Sequence, residues 1–309
     1  MTLEKIHKKF VASRWVLISI VCVFIALRMY PISNPIDNPL PWICLVIQIW
    51  IAFFLLQLNH TFNIISGRTF LPAIFYMLIV GSDPVFYNDL EGSIVALFFV
   101  ISYYFLFRSY QKPKSQIKAL NISLLLTVGS LLWAPLLFLF PVFWFGFYRF
   151  RCFNLRVFFA SLTGIAIVYL FLYAWSVYNN DNDIFMAFLP NVNTLFAIHK
   201  PVLTVWEWIN TGFIIAICSF IGVYLFFVTI SERVWTISVL RYFFFSVMYM
   251  FLFFFLQSEY KSSWGLLVSV PIAFITGHFF SRTKKRSAFF LLFFCFLFFI
   301  GMAIVQRLH

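Results

Sequence analysis

An all-α fold, a polytopic transmembrane helical bundle, is what this sequence predicts, and three observations carry the prediction. Of its 309 residues, 63% are hydrophobic and only 10% are charged, whereas a soluble domain carries about 25% charged residues. The apolar residues come in runs close to the roughly 20 residues that a membrane-crossing helix needs. No polar stretch is long enough for a separate domain of typical size, so residues 1–309 read as a single integral membrane domain.

The chain opens on Lys5, Lys8, Lys9 and Arg14, and an apolar run follows that ends in Arg28-Met29-Tyr30. No small-x-small cleavage site comes after it, so it reads as an uncleaved first span over 15–30. Further spans are expected near 42–58, 69–82, 92–107, 157–178, 208–230, 242–257, 264–280 and 287–306. Between the fourth and fifth lies the apolar run 119–147, interrupted at Trp133-Ala134-Pro135 and again at Pro141. Proline lacks a backbone donor and crowds the preceding turn, so it breaks or kinks a helix. The run is either one kinked span or two short helices. Charge favours two. Arg108, Lys112, Lys114 and Lys118 precede it, and Arg149, Arg151 and Arg156 follow it. Cytoplasmic loops carry the excess of Lys and Arg, so both flanks belong on one side and the segment enters and returns as a proline-broken hairpin. The expectation is nine spans plus this short hairpin, about 11 helices in all.

A net charge of +12 would suggest nucleic acid in a soluble protein. Here the cations sit in short loops, where they orient the chain and touch anionic lipid, so membrane lipids are the expected partners and nucleic acid is not. With a cytoplasmic N-terminus and a periplasmic C-terminus, every Lys and Arg except Arg28, Lys200, Lys261 and Arg307 lies inside. The carboxylates do the reverse: only Glu4 and Glu232 are inside. Either the outer loops simply need polar residues to stay wet, or chemistry is placed at the outer face.

No GxGxxG, P-loop, HExxH or GxSxG motif appears. The five cysteines show no metal-binding spacing and read as small buried hydrophobes. The 46 phenylalanines read as lipid-facing and interhelical packing. His278, near the end of its span, is either a functional group or a side chain reaching toward the basic loop. The acids are more informative. Asp37 lies in the first outer loop, 31–41; Asp89 and Glu91 lie in the second, with Asp83 just before them. Carboxylates converging from two loops suit a divalent cation through oxygen ligands, or one of them suits general-base work. Arg28, at the outer end of the first span, suits a lipid phosphate. The longest outer loop is 179–205, where 184–189 is apolar enough to lie on the membrane surface. Glu207 opens the next span between Trp206 and Trp208, and Glu259 and Lys261 are placed to pair with each other in one short turn.

Two resemblances can be set beside these readings. Residues 59–178 resemble an uncharacterised family of Bacteroidota membrane proteins, through Asn59-His60-Thr61, Arg68-Thr69-Phe70-Leu71-Pro72, Leu131-Leu132-Trp133-Ala134-Pro135 and the span holding Leu162-Thr163-Gly164-Ile165. Ser258-Glu259-Tyr260, Pro271 and His278-Phe279-Phe280-Ser281-Arg282 fit the same pattern. That resemblance implies a bacterial inner-membrane protein and brings no activity. The layout of the first half is also similar to that of GT-C glycosyltransferases: an outer acid, short spans, a D-x-E loop, a basic inner loop, then a small-residue helix ending at proline. Such enzymes move sugars from polyprenyl-phosphate carriers. The resemblance implies Asp37 as the catalytic acid at the acceptor and Asp89 with Glu91 as metal ligands. The sequence departs from that pattern in its short first outer loop, and no soluble domain follows the last span within these residues.

The functional expectations are therefore an envelope enzyme acting on a lipid-linked substrate, or a non-catalytic membrane subunit bound to a membrane protein partner in an envelope assembly or secretion complex. The enzyme requires Asp37, Asp89 and Glu91 to converge on one outward cavity that opens to lipid. The subunit predicts a large apolar lateral face without an enclosed polar cavity. A transporter is disfavoured, because few charges lie mid-span and no inverted repeat is evident.

Overall fold

The computed structural model describes residues 14–29, 39–65, 69–179, 203–227, 233–257, 260–283 and 286–308. Its elements there are eleven α-helices and two 3-10 helices. The first four helices are α1 (Arg14–Met29), α2 (Leu40–Phe62), α3 (Leu71–Ser82) and α4 (Leu90–Arg108), with the 3-10 turn Pro84–Tyr87 between α3 and α4. Then come α5 (Gln116–Leu132), the 3-10 stretch Ala134–Leu139, α6 (Phe140–Arg149) and α7 (Leu155–Tyr178). The chain closes with α8 (Val205–Phe227), α9 (Val234–Leu256), α10 (Lys261–Arg282) and α11 (Arg286–Leu308).

The all-α class stands. Seven helices, α2, α4 and α7–α11, are long and apolar enough to cross a membrane, and the chain is an integral membrane protein. By contrast α3, with 12 residues, reaches only about 18 Å at ~1.5 Å per residue, against a hydrocarbon core of roughly 30 Å. One boundary differs clearly from expectation: α9 begins at Val234 rather than 242. Arg241, next to the expected boundary, is exposed on a helix that already runs for two turns before it.

The helices fall into two compact units. The first comprises 1–93 and 201–309 and is built around α3 and α10. Every residue of α3 is buried, and 94% of the apolar window of α10 is buried, against 22% for α7. A helix too short to cross hydrocarbon leaves backbone groups at its ends that lipid cannot satisfy. Enclosing α3 in protein removes that exposure. Its neighbours are α10, α11, α2 and α1. The approach to α10 is close: a Cβ added to Gly277 would stand 3.1 Å from the backbone nitrogen of Pro72. Stacked phenylalanines fill the rest, with Phe75 on Phe280 at 5.3 Å and Phe243 on Phe274 at 5.0 Å.

The second unit, 94–200, holds most of α4 with α5, α6 and α7. Its topology settles the hairpin. The Gln111 N–H donates to the Phe150 carbonyl at 3.1 Å, and Asn154 Nδ2 donates to the Pro113 carbonyl at 3.2 Å. The two basic flanks are therefore bonded to each other, and the segment between them enters and returns. The first break falls at Trp133, whose extended backbone ends α5 before Pro135. Pro141 does not break a helix. It occupies the first turn of α6, where its missing donor has no partner to lose. Asn154 caps α7 by accepting from the Val157 N–H at 2.9 Å.

α6 ends in a Schellman motif: Cys152 N–H donates to the Phe147 carbonyl and Arg151 N–H to the Tyr148 carbonyl, both at 3.0 Å. Arg151 takes the left-handed position, φ 56°, which usually belongs to glycine and costs other residues about 1 kcal/mol. On the other face, α5 lies along α7. A Cβ on Gly164 would meet Ser123 Oγ at 1.9 Å and the Leu120 carbonyl oxygen at 3.1 Å.

Gly164→Leu should therefore push α7 off α5 and cost about 1–3 kcal/mol, the usual range for overpacking. Thermal unfolding of the purified protein in detergent checks this: a clear fall in Tm is expected, and a Tm equal to that of the unchanged protein would refute the close approach.

Candidate functional site

The four described carboxylates, Asp83, Asp89, Glu91 and Glu207, belong with Lys261 and Arg307 to one end of the first unit. Each is positioned by local chain logic. Asp83 ends α3 and opens the 3-10 turn, accepting from the Val85 N–H at 3.0 Å. Asp89 is the N-cap of α4: its Oδ1 accepts from the Gly92 N–H at 2.7 Å, and its Oδ2 accepts from Ser263 Oγ of α10 at 2.8 Å. Glu91 sits in the first turn of α4, where a negative charge suits the helix dipole, and it is exposed.

Glu207 begins α8 through a capping box. The Thr204 N–H donates to Glu207 Oε2 at 2.7 Å, and the Glu207 N–H donates to Thr204 Oγ1 at 3.3 Å. Lys261 Nζ donates to both oxygens of the same carboxylate, at 2.8 and 2.9 Å. The expected partner of Lys261, Glu259, lies outside the described residues. Glu207 is 54 positions away in sequence, and the bond ties the start of α8 to the start of α10.

Further polar links close this end of the unit. Asn210 Nδ2 donates to Ser82 Oγ at 3.0 Å, joining α8 to α3. Buried Gln48 of α2 donates to the Phe86 carbonyl at 3.0 Å and to Ser93 Oγ at 3.3 Å. Arg307 of α11 donates to the Tyr87 hydroxyl with its guanidinium 5.1 Å from the ring centre, a cation–π arrangement. Tyr87 in turn donates to the Gly81 carbonyl at 2.7 Å.

Among these groups lies a cavity whose polar end is formed by Asp83, Glu207, Asn210 and Lys261, and whose apolar wall includes Ile214, Phe254 and Ile272. It offers about 40 Å³ to the centres of water molecules, room for a few waters at roughly 10–15 Å³ each. The charge at the mouth is two acids to one cation. Asp83 responds to this. Burial pushes its carboxyl up from 3.8 to about 6; the Val85 N–H opposes the rise, the Glu207 carboxylate adds to it and the Lys261 cation opposes it. A carboxyl titrating near neutrality in a cavity is suited to move a proton.

Of the residues expected to form the site, the structure describes Asp89 and Glu91, and it does not turn them toward one point. Asp89 faces Ser263, while Glu91 is exposed. Asp37 lies outside the described residues. Arg28 belongs to the last turn of α1, and its side chain also lies outside them. No set of three His, Cys, Asp or Glu side chains among the described residues is placed to hold a metal ion, and each Asp89 oxygen accepts a hydrogen bond. His278 is 2% exposed inside α10 rather than reaching toward the basic loop. The cavity residue Asn210 and its partner Ser82 had no motif to mark them, whereas the T-x-x-E before α8 is a readable helix-start signal.

No family model, curated protein or solved structure matches the chain.

Two outcomes follow from this geometry. A carboxyl that holds its proton more tightly when folded stabilises the fold at low pH. That contribution is complete below 3.8 and is lost as pH rises through about 6. Tm should fall across this window by the equivalent of roughly 3 kcal/mol, and Asp83→Asn should flatten the fall, as pH-resolved melting will show. Lys261→Met should destabilise by about 3 kcal/mol, because it strands a buried carboxylate, and adding Glu207→Gln should restore most of the loss. Additive losses in that double-mutant cycle would rule out the coupling.

Proposed function

We propose that this chain is an enzyme of the bacterial inner membrane, GT-C-like in layout, that acts at the outer face on a polyprenyl-phosphate-linked substrate. The single observation that carries the reading is the cavity: a polar end, with a carboxyl titrating near neutrality, set on an apolar wall among membrane helices. A non-catalytic scaffold needs no such space. In this reading the N-terminus is cytoplasmic, the C-terminus is periplasmic and the acidic end of the first unit faces the periplasm.

Asp83 serves as general base, taking the proton of an acceptor hydroxyl as its oxygen bonds the anomeric carbon and the bond from that carbon to the carrier phosphate breaks, the polyprenyl phosphate leaving with the electron pair. The Glu207–Lys261 pair and Asn210 position that hydroxyl. The excess of acid over cation at the mouth suits a hydroxyl better than a phosphate. The carrier phosphate is therefore assigned to Arg28, and Asp37 to the acceptor side. Asp89 acts as a positioning residue through Gly92 and Ser263.

The test is transfer of labelled sugar from polyprenyl-phosphate-linked monosaccharides by protein in proteoliposomes. Turnover by the unchanged protein is expected, with a loss of about 100-fold in Asp83→Asn, the usual scale for removing a general base. Full transfer by Asp83→Asn, or none by the unchanged protein across a panel of linked sugars, overturns the reading. The alternative, a subunit of an envelope assembly or secretion complex, is favoured by one observation: α7 buries only 22% of its apolar window. A stoichiometric protein partner retained in mild detergent, together with absence of transfer, would select it.

A further inference from the structure

We propose that the second unit carries a binding site for the phosphate of an anionic glycerophospholipid, in the cleft between Tyr148, Arg149, Arg151 and Phe153. The cleft measures about 390 Å³ and lies where α6 ends and α7 begins. It therefore stands at the end of a long apolar helix, at headgroup depth.

Three features set it apart from a loop that merely carries orienting charge. The first is the backbone. Orientation needs only net cations near a span, yet here the chain holds Arg151 in the left-handed position of a Schellman motif, where glycine is the ordinary residue. A side chain kept in a disfavoured backbone state is a reason to look for a role. The frame around it is rigid: Phe153 N–H donates to the Phe147 carbonyl at 3.1 Å, and Asn154 bridges to Pro113.

The second is uncompensated charge. Neither the Arg149 nor the Arg151 guanidinium makes a hydrogen bond or ion pair among the described residues. The described part of this unit holds no Asp or Glu at all, while Arg108, Lys112, Lys114, Lys118 and Arg156 add to the cationic field. No described residue of the unit supplies an anion to the two arginines. Paired guanidinium groups select a phosphate oxygen set, which they grip at two points each.

The third is apolar company. Tyr148 is 70% exposed, and Phe153 and Leu155 are exposed beside it. Aromatic side chains of this kind favour the boundary between headgroups and acyl chains. A soluble phosphate compound would leave them in water; a phospholipid covers them while its phosphate meets the arginines.

The experiment titrates phosphatidylglycerol into the delipidated, detergent-solubilised full chain and counts bound lipid by native mass spectrometry. Phosphatidylcholine and inorganic phosphate form the comparison arms. Expected is saturable phosphatidylglycerol binding, weakened about tenfold or more in Arg149→Gln/Arg151→Gln and little changed in Lys112→Gln/Lys114→Gln, which removes the same charge elsewhere. Arg151→Gly is the second variant. It suits the left-handed position, so Tm should hold or rise while lipid affinity falls. Equal weakening in the lysine variant would show diffuse electrostatics and overturn the site. Equal binding of phosphatidylcholine, or displacement by inorganic phosphate alone, would overturn its assignment to an anionic lipid.

Discussion

Twelve residues of helix cannot cross a bilayer, and lipid offers no hydrogen bonds to the backbone groups at such a helix's ends. That constraint shapes the first unit. α3 is possible only because α10 and its other neighbours wall it off, and α10 is correspondingly the most enclosed of the long helices. Close backbone approach at Gly277 and the stacked Phe75 and Phe280 follow from the need to enclose α3 without voids. The same constraint places Asp83: a helix that stops short brings its terminal turn, with a carboxylate, into protein surroundings rather than into bulk water.

The polar end of that unit is held by groups that each satisfy two demands. Glu207 completes a capping box and also binds Lys261; Asp89 caps α4 and also binds Ser263. Such sharing occupies the oxygens of Glu207 and Asp89, which matters where an unpaired buried group is expensive. Asp83 is less well supplied: among the described residues its carboxyl accepts only from the local Val85 N–H, and its neighbours include a second carboxylate.

Much of the fold could be read from residue order alone. Hydrophobic run length located the helices, and Pro135 together with basic flanks implied the returning hairpin that the bond from Gln111 to Phe150 closes. Where reading fell short, the reasons are physical. The first two turns of α9 precede Arg241, and a charge on the exposed side of a helix looks, in sequence, like an end. Pro141 looked like a second break, although at a first helical turn proline disrupts nothing. The site was less legible still. A D-x-E triplet attracts attention by composition, but helix geometry sends Asp89 inward as a cap and leaves Glu91 outside. Asp83 owes its character to burial and to Glu207, and neither is visible in neighbouring letters. Lys261 met a carboxylate far away in sequence, and only the packing of α8 beside α10 brings them together.

The enclosure of α3 also bears on how the chain is made. α3 emerges roughly 180 residues before its main partner α10, which at a synthesis rate of ~5–20 residues per second is about 10–40 s. During that interval a helix too short for the bilayer has no α10 to shelter it. The nascent protein must keep it beside the insertion machinery, a membrane chaperone or the flanks of α2 until α10 arrives. Biogenesis of this protein therefore has a built-in waiting period, and the last third of the chain decides whether the first third ever becomes stable.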